Sequence, residues 1–217
     1  MESTPNDDTP VEIYQLRVLV RQISPIIWRR ILVRDDSTIA DLHYTLQIAM
    51  GWSDSHLHQF IIYGKRYGIQ QPGGIWFSDN PYLVSLKQFK FRLNERFLYE
   101  YNFYDNWQLE IRVEKHIPYD SSKSYPVCTG GVRAAPPEDC GGPCEFMALK
   151  QKYSPWHIEE RLLDFLEQEE VEDFYEELYA LKYWLNAERF DRLSVNRILK
   201  QYASGDETWC DYMGELL

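Results

Sequence analysis

The sequence predicts an α+β fold: an antiparallel sheet, one helix in the N-terminal half and a helical C-terminal cap. Three observations carry this. Apolar residues alternate with polar ones at period two in several runs before residue 117. One capped stretch near residue 40 has helical spacing instead, and apolar residues beyond residue 153 recur at helical spacing among many acids. Strands and a helix followed by helices are the order of an α+β domain.

The elements follow in order. Tyr14, Leu16, Val18 and Val20 alternate with Gln15, Arg17, Leu19 and Arg21, the pattern of a half-buried strand. Ser24-Pro25 interrupts it, and Ile26 to Val33 reads as the second arm of a hairpin. Thr38 can cap a helix with Asp41 three residues on. Ile39, Leu42, Leu46, Ala49 and Met50 supply its buried stripe, and Gly51 can close it in the left-handed conformation. His58 to Tyr63 reads as a strand, with a turn and short return over Gly64 to Gly68. Phe97, Tyr99, Tyr101 and Phe103, then Trp107, Leu109, Ile111 and Val113, form one apolar face of a hairpin turning at Tyr104-Asp105-Asn106. Residues 117 to 143, rich in Pro, Gly and Cys, read as a long loop that must be tied down or functional. Ser154-Pro155 opens a helix through Glu167. Val171, Phe174, Tyr175, Leu178, Leu181 and Trp184 mark another, and Ser194 is read as the cap of a last one carrying Val195, Ile198 and Leu199.

Residues 1–10 have no apolar anchor and are expected to form a disordered tail, residues 11–153 the α+β core, and residues 154–217 an acidic helical region packed on the same domain. No apolar run reaches the roughly 20 residues that span a bilayer, and no basic leader precedes an apolar signal core. A soluble, cytoplasmic protein with no membrane partner is expected. Four cysteines in a reducing compartment are expected to be thiols or metal ligands rather than disulfides. The net charge of -11 is uneven: -3 over residues 1–10, +2 over 11–116 and -10 over 117–217. Such acidity disfavours nonspecific nucleic-acid binding, although Arg17, Arg21, Arg29, Arg30 and Arg34 make a local basic patch on the first two strands.

Four ordered motifs stand out: Ser24-Pro25-x-x-Trp28-Arg29-Arg30, Leu42-His43-x-x-x-Gln47-x-Ala49-Met50-Gly51-Trp52, His56-Leu57-His58-x-Phe60, and Pro136-Pro137-Glu138-Asp139-Cys140-Gly141-Gly142. Together with Phe190-Asp191 and Val195-Asn196, they resemble the plasmid pRiA-type open-reading-frame-three-like family over about Val11 to Lys200. Members of that family often carry an insertion-sequence passenger or resolvase-like label. The resemblance implies an α+β fold with a curved antiparallel sheet and an association with plasmid or mobile-element genes, but no activity. Recombination would need a nucleophilic Ser or Tyr amid arginines on a basic face, which the net charge opposes. Similar proteins read Tyr-Asp-Phe-Gly-Asp-x-Trp-x-His where this chain has Tyr101 to Leu109, and often carry a cysteine where Ala135 stands.

Several side chains are candidates for chemistry. His56, His58, Asp105, Glu138 and Asp139 could build an acid/base or metal-assisted site, giving a hydrolase or nuclease-like enzyme. The plainer reading makes the histidines hydrogen-bonded sheet and loop residues, and the carboxylates anchors that accept backbone or arginine hydrogen bonds, with Arg133 or Arg30 as donor. His56, His58, Cys128, Cys140 and Cys144 could ligate zinc but match no closed four-ligand motif; buried thiols are the alternative, and no cofactor is favoured. His43 and Gln47, four apart on the helix, are expected to hydrogen-bond toward the Pro-rich loop. The leading functional reading is a protein-interaction module without a complete catalytic constellation. It would bind through Arg29, Arg30, Trp52, Trp107 and Arg133 in a groove between the hairpins and the Pro-Pro-Glu-Asp-Cys loop. A DNA-binding accessory using Arg17, Arg21, Arg29 and Arg30 is the third reading.

Overall fold

Seven strands, every pair antiparallel, form one sheet in the order β4-β3-β5-β6-β1-β2-β7 that does not close into a barrel. The strands of this computed structural model, which describes residues 10–71, 73–167 and 175–212, are β1 Glu12–Val20, β2 Trp28–Arg34, β3 His58–Ile62, β4 Lys65–Tyr67, β5 Arg96–Tyr101, β6 Trp107–Pro118 and β7 Val127–Val132. The expected tail over residues 1–9 and the stripe positions Val171 and Phe174 lie outside the described residues. The register shifts by one residue between Gln15 and Leu16 against β6, where Glu114 is passed over, and between Arg30 and Ile31 against β7, where Thr129 is.

Side-chain alternation divides the sheet into two unlike faces. Tyr14, Leu16, Val18 and Val20 of β1 point inward with Ile31 and Val33 of β2, Tyr99 and Tyr101 of β5, and Leu109, Ile111 and Val113 of β6. Helix α1, Ile39–Met50, lies on this side with Leu42 and Leu46 in the same core. Its N-terminus has the predicted capping box: the Asp41 amide donates to Thr38 Oγ1 at 3.1 Å, and the Thr38 amide donates back to Asp41 Oδ2 at 2.8 Å. Gly51 ends the helix at φ 71°.

Phe103, predicted to face inward, sits instead in the β5–β6 turn and is partly exposed. The region expected to be one long loop contains β7 and helix α2, Gly142–Lys152. Two glycines in β7 and the weakly patterned α2 sequence left no periodicity to read. Helices α3 Pro155–Glu167, α4 Tyr175–Asn186 and α5 Arg192–Ala203 follow. The α5 cap is Asp191, not Ser194: its carboxylate accepts from the Leu193 and Ser194 amides at 3.0 Å. Tyr183 of α4 and Val195, Ile198 and Leu199 of α5 enter the core that holds α1. Asn196 reaches edge strand β7, accepting from the Cys128 amide at 2.7 Å and donating to the Cys128 carbonyl at 2.9 Å.

Candidate functional site

The sequence motifs converge at one end of the sheet, where the Pro-Pro-Glu-Asp loop crosses the α1–β3 turn and the β5–β6 turn. Prolines 136 and 137 hold this loop extended, so that its backbone offers acceptors to two buried indoles. Trp52 Nε1 donates to the Pro136 carbonyl at 2.9 Å, and Trp107 Nε1 to the Glu138 carbonyl at 2.9 Å. The Glu138 carboxylate accepts from the Ser53 amide at 3.1 and 3.2 Å and from the Tyr101 hydroxyl at 2.6 Å. Burial and that neighbouring carboxylate push the Tyr101 phenol well above its ordinary range, so its proton stays in the bond. Asp105 Oδ2 accepts from the Gly141 amide at 2.9 Å. A Cβ at Gly142, which sits at φ 80°, would collide with the Asp105 carbonyl.

Asn102 explains one departure from the family pattern. Its amide donates to the Glu138 carbonyl at 3.0 Å, a bond that an ionised aspartate at that position could not make. Leu109, standing where similar proteins carry histidine, is fully buried in the inner core.

Beside this lock lies a buried polar chain. Gln47 Nε2 donates to the Tyr99 hydroxyl oxygen at 2.7 Å, and Tyr99 lies 2.9 Å from His43 Nδ1. The Asp54 carboxylate can only accept, so Nε2–H of His43 donates to its Oδ1 at 2.8 Å, and in the neutral ring Nδ1 is left to accept the Tyr99 hydroxyl proton. The Asp54 amide, at a residue with φ 59°, donates to Gln47 Oε1 at 3.2 Å. The carboxylate, imidazole and hydroxyl stand in the order of a nucleophile relay. The terminal hydroxyl, however, is on a tyrosine with no exposed surface, and burial pushes that phenol far above its ordinary range. No substrate atom can reach it.

His58 stacks on His43 with ring centroids 3.6 Å apart and planes 14° from parallel. Its Nε2 accepts from the Ile69 amide at 3.1 Å, and its buried Nδ1 has no partner. Burial, reinforced by His43, holds the His58 imidazole well below its ordinary pKa. His43, Asp54 and His58 bring possible ligand atoms within 4.8 Å of one another. Imidazole lone pairs lie in the ring plane, so an ion placed about 2 Å from one ring in its plane is badly placed for the other ring of a parallel stack. The geometry fits packing better than shared ligation.

The five candidate acid/base residues therefore do not gather around one reacting position. His56 Nε2 lies 2.8 Å from Asp139 Oδ1 without hydrogen-bond geometry. Glu138 and Asp105 hold backbone amides, and His58 is stacked inside. Nor do the cysteines join the histidines: all four are free, Cys128 is buried with Sγ 3.4 Å from the Gly130 carbonyl, and Cys144 is exposed. Burial pushes the Cys140 thiol up to about 12, the reverse of what a thiolate ligand or nucleophile needs.

The groove residues expected to bind a partner need correction as well. Trp52 and Trp107 have no exposed surface, and Arg29 is 1% exposed, because strand alternation turns it inward, away from the basic patch. Its guanidinium donates to the Ala49 carbonyl at the C-terminal end of α1 and to the Trp28 and Val132 carbonyls at 2.9–3.0 Å, beneath the Phe190 ring. Burial lowers its pKa to about 10. Arg133 pairs with Glu188, and Arg30 with Glu114, so neither holds Glu138 or Asp139. His43 and Gln47 orient α1 on Tyr99 and the Asp54 turn, not on the Pro-rich loop. Asp54 and Tyr99, the members of that chain not singled out from sequence, had no spacing relation to His43 that would have revealed them.

Fold and site together define an open-faced α+β sheet protein whose polar residues on the helical side are engaged in holding its own loops. The chain belongs to the Plasmid pRiA4b ORF-3-like protein family, whose sequence pattern matches residues 12–194. It is 31% identical over 146 residues to the Uncharacterized protein y4hQ of Sinorhizobium fredii (strain NBRC 101917 / NGR234), covering 63% of this chain and 73% of that protein. The crystal structure of the protein of unknown function MM3350 from Methanosarcina mazei Go1 is similar with a TM-score of 0.63 and 33% identity, over 85% of this chain and 98% of the other. No helix of the described residues is long and apolar enough to cross a membrane.

Proposed function

We propose that the protein is a non-catalytic interaction module that docks a basic amphipathic helix of a partner protein between α3 and α4. The observation that carries this reading is an open groove of about 490 Å³, lined by Pro155, Ile158, Leu162, Leu163, Trp184 and Leu185 and rimmed by Glu159 and Glu188. Leu163 and Leu185 are each more than half exposed, an arrangement that suits the spaced apolar anchors of a helix in a groove. Charge selects the partner. Residues 155–167 and 175–188 hold seven acidic side chains against two basic ones, so a helix with Lys or Arg flanking its apolar stripe is favoured. The engagement of Glu138, Asp105 and His58 within the fold supports a binding role over a hydrolytic one. The family's plasmid-derived name supports a setting among plasmid or mobile-element genes. Four unpaired thiols support a cytoplasmic location.

The test is a titration with a synthetic 14-residue helix carrying Leu at helical spacing and Lys elsewhere, read by tryptophan emission and calorimetry. Saturable binding is expected, abolished in Leu163→Glu and absent for the same peptide with Glu in place of Lys. Equal binding of both peptides, or a dimer by light scattering that Leu163→Glu dissociates, would overturn the proposed partner.

A further inference from the structure

The sheet face opposite the helices carries a feature independent of that groove. Arg96 is the cross-strand partner of Arg112, Arg112 of Arg17, and Arg17 of Arg30, so four arginines stand in one row across β5, β6, β1 and β2. At one strand spacing per step the row spans about 14 Å. Like charges directly opposite one another destabilise a sheet, and only part of this repulsion is offset. Glu114 takes a bidentate pair from Arg30 at 2.7 and 3.3 Å and a bond from Arg112 at 3.2 Å, while Glu110 meets Arg96 at 3.1 Å. Arg17, second in the row from β2, has no carboxylate partner among the described residues. Its buried Nε is unsatisfied, and its guanidinium lies 5.5 Å from the centroid of the Trp28 ring.

A second row runs beside the first, two residues along each strand: Leu98 on β5, Glu110 on β6, Leu19 on β1 and Trp28 on β2, continued by Ile61 on β3. Its apolar members are half-buried and stand outside the inner core cluster. A cationic track flanked by an aromatic and aliphatic shelf on an open sheet is the pattern that holds a phosphodiester backbone while bases lie on the shelf. Unpaired bases are free to lie on such a shelf, whereas a duplex keeps its bases stacked inside.

We propose that this face binds single-stranded nucleic acid, its phosphates on the arginine row with Arg17 as the central contact and its bases against Trp28, Leu19 and Leu98. The net charge of -11 does not forbid this. Its excess lies in residues 117–217, whose described core-packing helices are on the other side of the sheet, and physiological salt screens charge beyond about 8 Å.

The experiment is fluorescence anisotropy of the full chain with a labelled 12-nucleotide mixed-sequence strand at 50 and 200 mM salt, alongside a 12-base-pair duplex, inorganic phosphate and a poly-Glu peptide as competitors. Expected are saturable strand binding that weakens with salt, at least tenfold weaker binding for Arg17→Gln, and a salt slope shallower by about 0.7 for each phosphate that the variant no longer neutralises. Glu114→Gln, which releases Arg30 and Arg112, should bind several-fold tighter. Arg112→Gln is the second weakening variant, and circular dichroism checks that each protein is folded. No saturable strand binding at 50 mM salt, duplex bound equally well, full displacement by poly-Glu at matched charge, or folded Arg17→Gln and Arg112→Gln proteins within twofold of the parent would each overturn the proposal.

Discussion

The two faces of the sheet use polar residues in opposite ways. On the helical side Glu138, Asp105, Gln47 and His43 are each matched to a donor or acceptor, and the result is a closed lock. On the open side Glu110 and Glu114 pair with three of the four aligned arginines, and Arg17 is left over. A cluster of His, Asp and Glu thus marks chemistry only when some member has capacity to spare. Here His58 Nδ1 is spare but sealed inside the fold, and the spare charge lies on the face without the conspicuous motifs.

Substitutions should separate the faces. The largest loss is expected for Gly142→Ala, which both strains a left-handed position and drives a methyl into the Asp105 carbonyl: about 3–5 kcal/mol by urea denaturation, or no soluble protein. A Gly142→Ala protein of parental stability would mean that the loop is not locked at all. Next comes Glu138→Ala, which strands the Ser53 amide and the Tyr101 hydroxyl and should cost about 2–3 kcal/mol.

His58 should make stability depend on pH. Its folded pKa is depressed, so below the unfolded value of about 6.5 the unfolded chain takes up a proton that the folded chain refuses. Stability is therefore full above about pH 6.5 and falls below it by up to ~1.4 kcal/mol per pH unit until the folded pKa is reached. Denaturation at pH 7.5, 6.5 and 5.5 should reveal that slope, and His58→Gln should flatten it; an unchanged slope in the variant would assign the effect to other groups. The smallest change is expected for Arg17→Gln on the open face, within about 0.5 kcal/mol of the parent because it also relieves like-charge repulsion. A loss of about 2 kcal/mol there would place Arg17 among the structural residues and erase the distinction between the faces.

Much of the scaffold could be read in the sequence because local patterning specifies it. The capped helix at Thr38 to Gly51 and the alternation through Phe97 to Tyr101 and Trp107 to Val113 require only neighbours along the chain. β7 and α2 escaped because Val-Cys-Thr-Gly-Gly-Val carries no alternation and is held in place by Asn196, 68 residues away. The structural roles of Glu138 and Asp105 were legible as carboxylates beside prolines and glycines, but their donors were not, since Ser53 and Tyr101 approach only through the tertiary fold. Arg29 shows the limit of counting charges along a strand: one residue of alternation separates a surface cation from one buried under a phenylalanine. The arginine row could not be seen from sequence, because it depends on the register of four strands.

The ends of the sheet bear on how this protein lives in a crowded cell. At one border the Asn196 side chain imitates one peptide unit of a neighbouring strand, occupying the donor and acceptor of Cys128 that a foreign strand would seek. At the other border β4 is three residues long and places Lys65 and Arg66 side by side. A sheet blunted at one margin and charged at the other cannot be lengthened by stacking copies edge to edge. Crowding should therefore leave this protein as discrete particles, with its broad faces rather than its margins open to company.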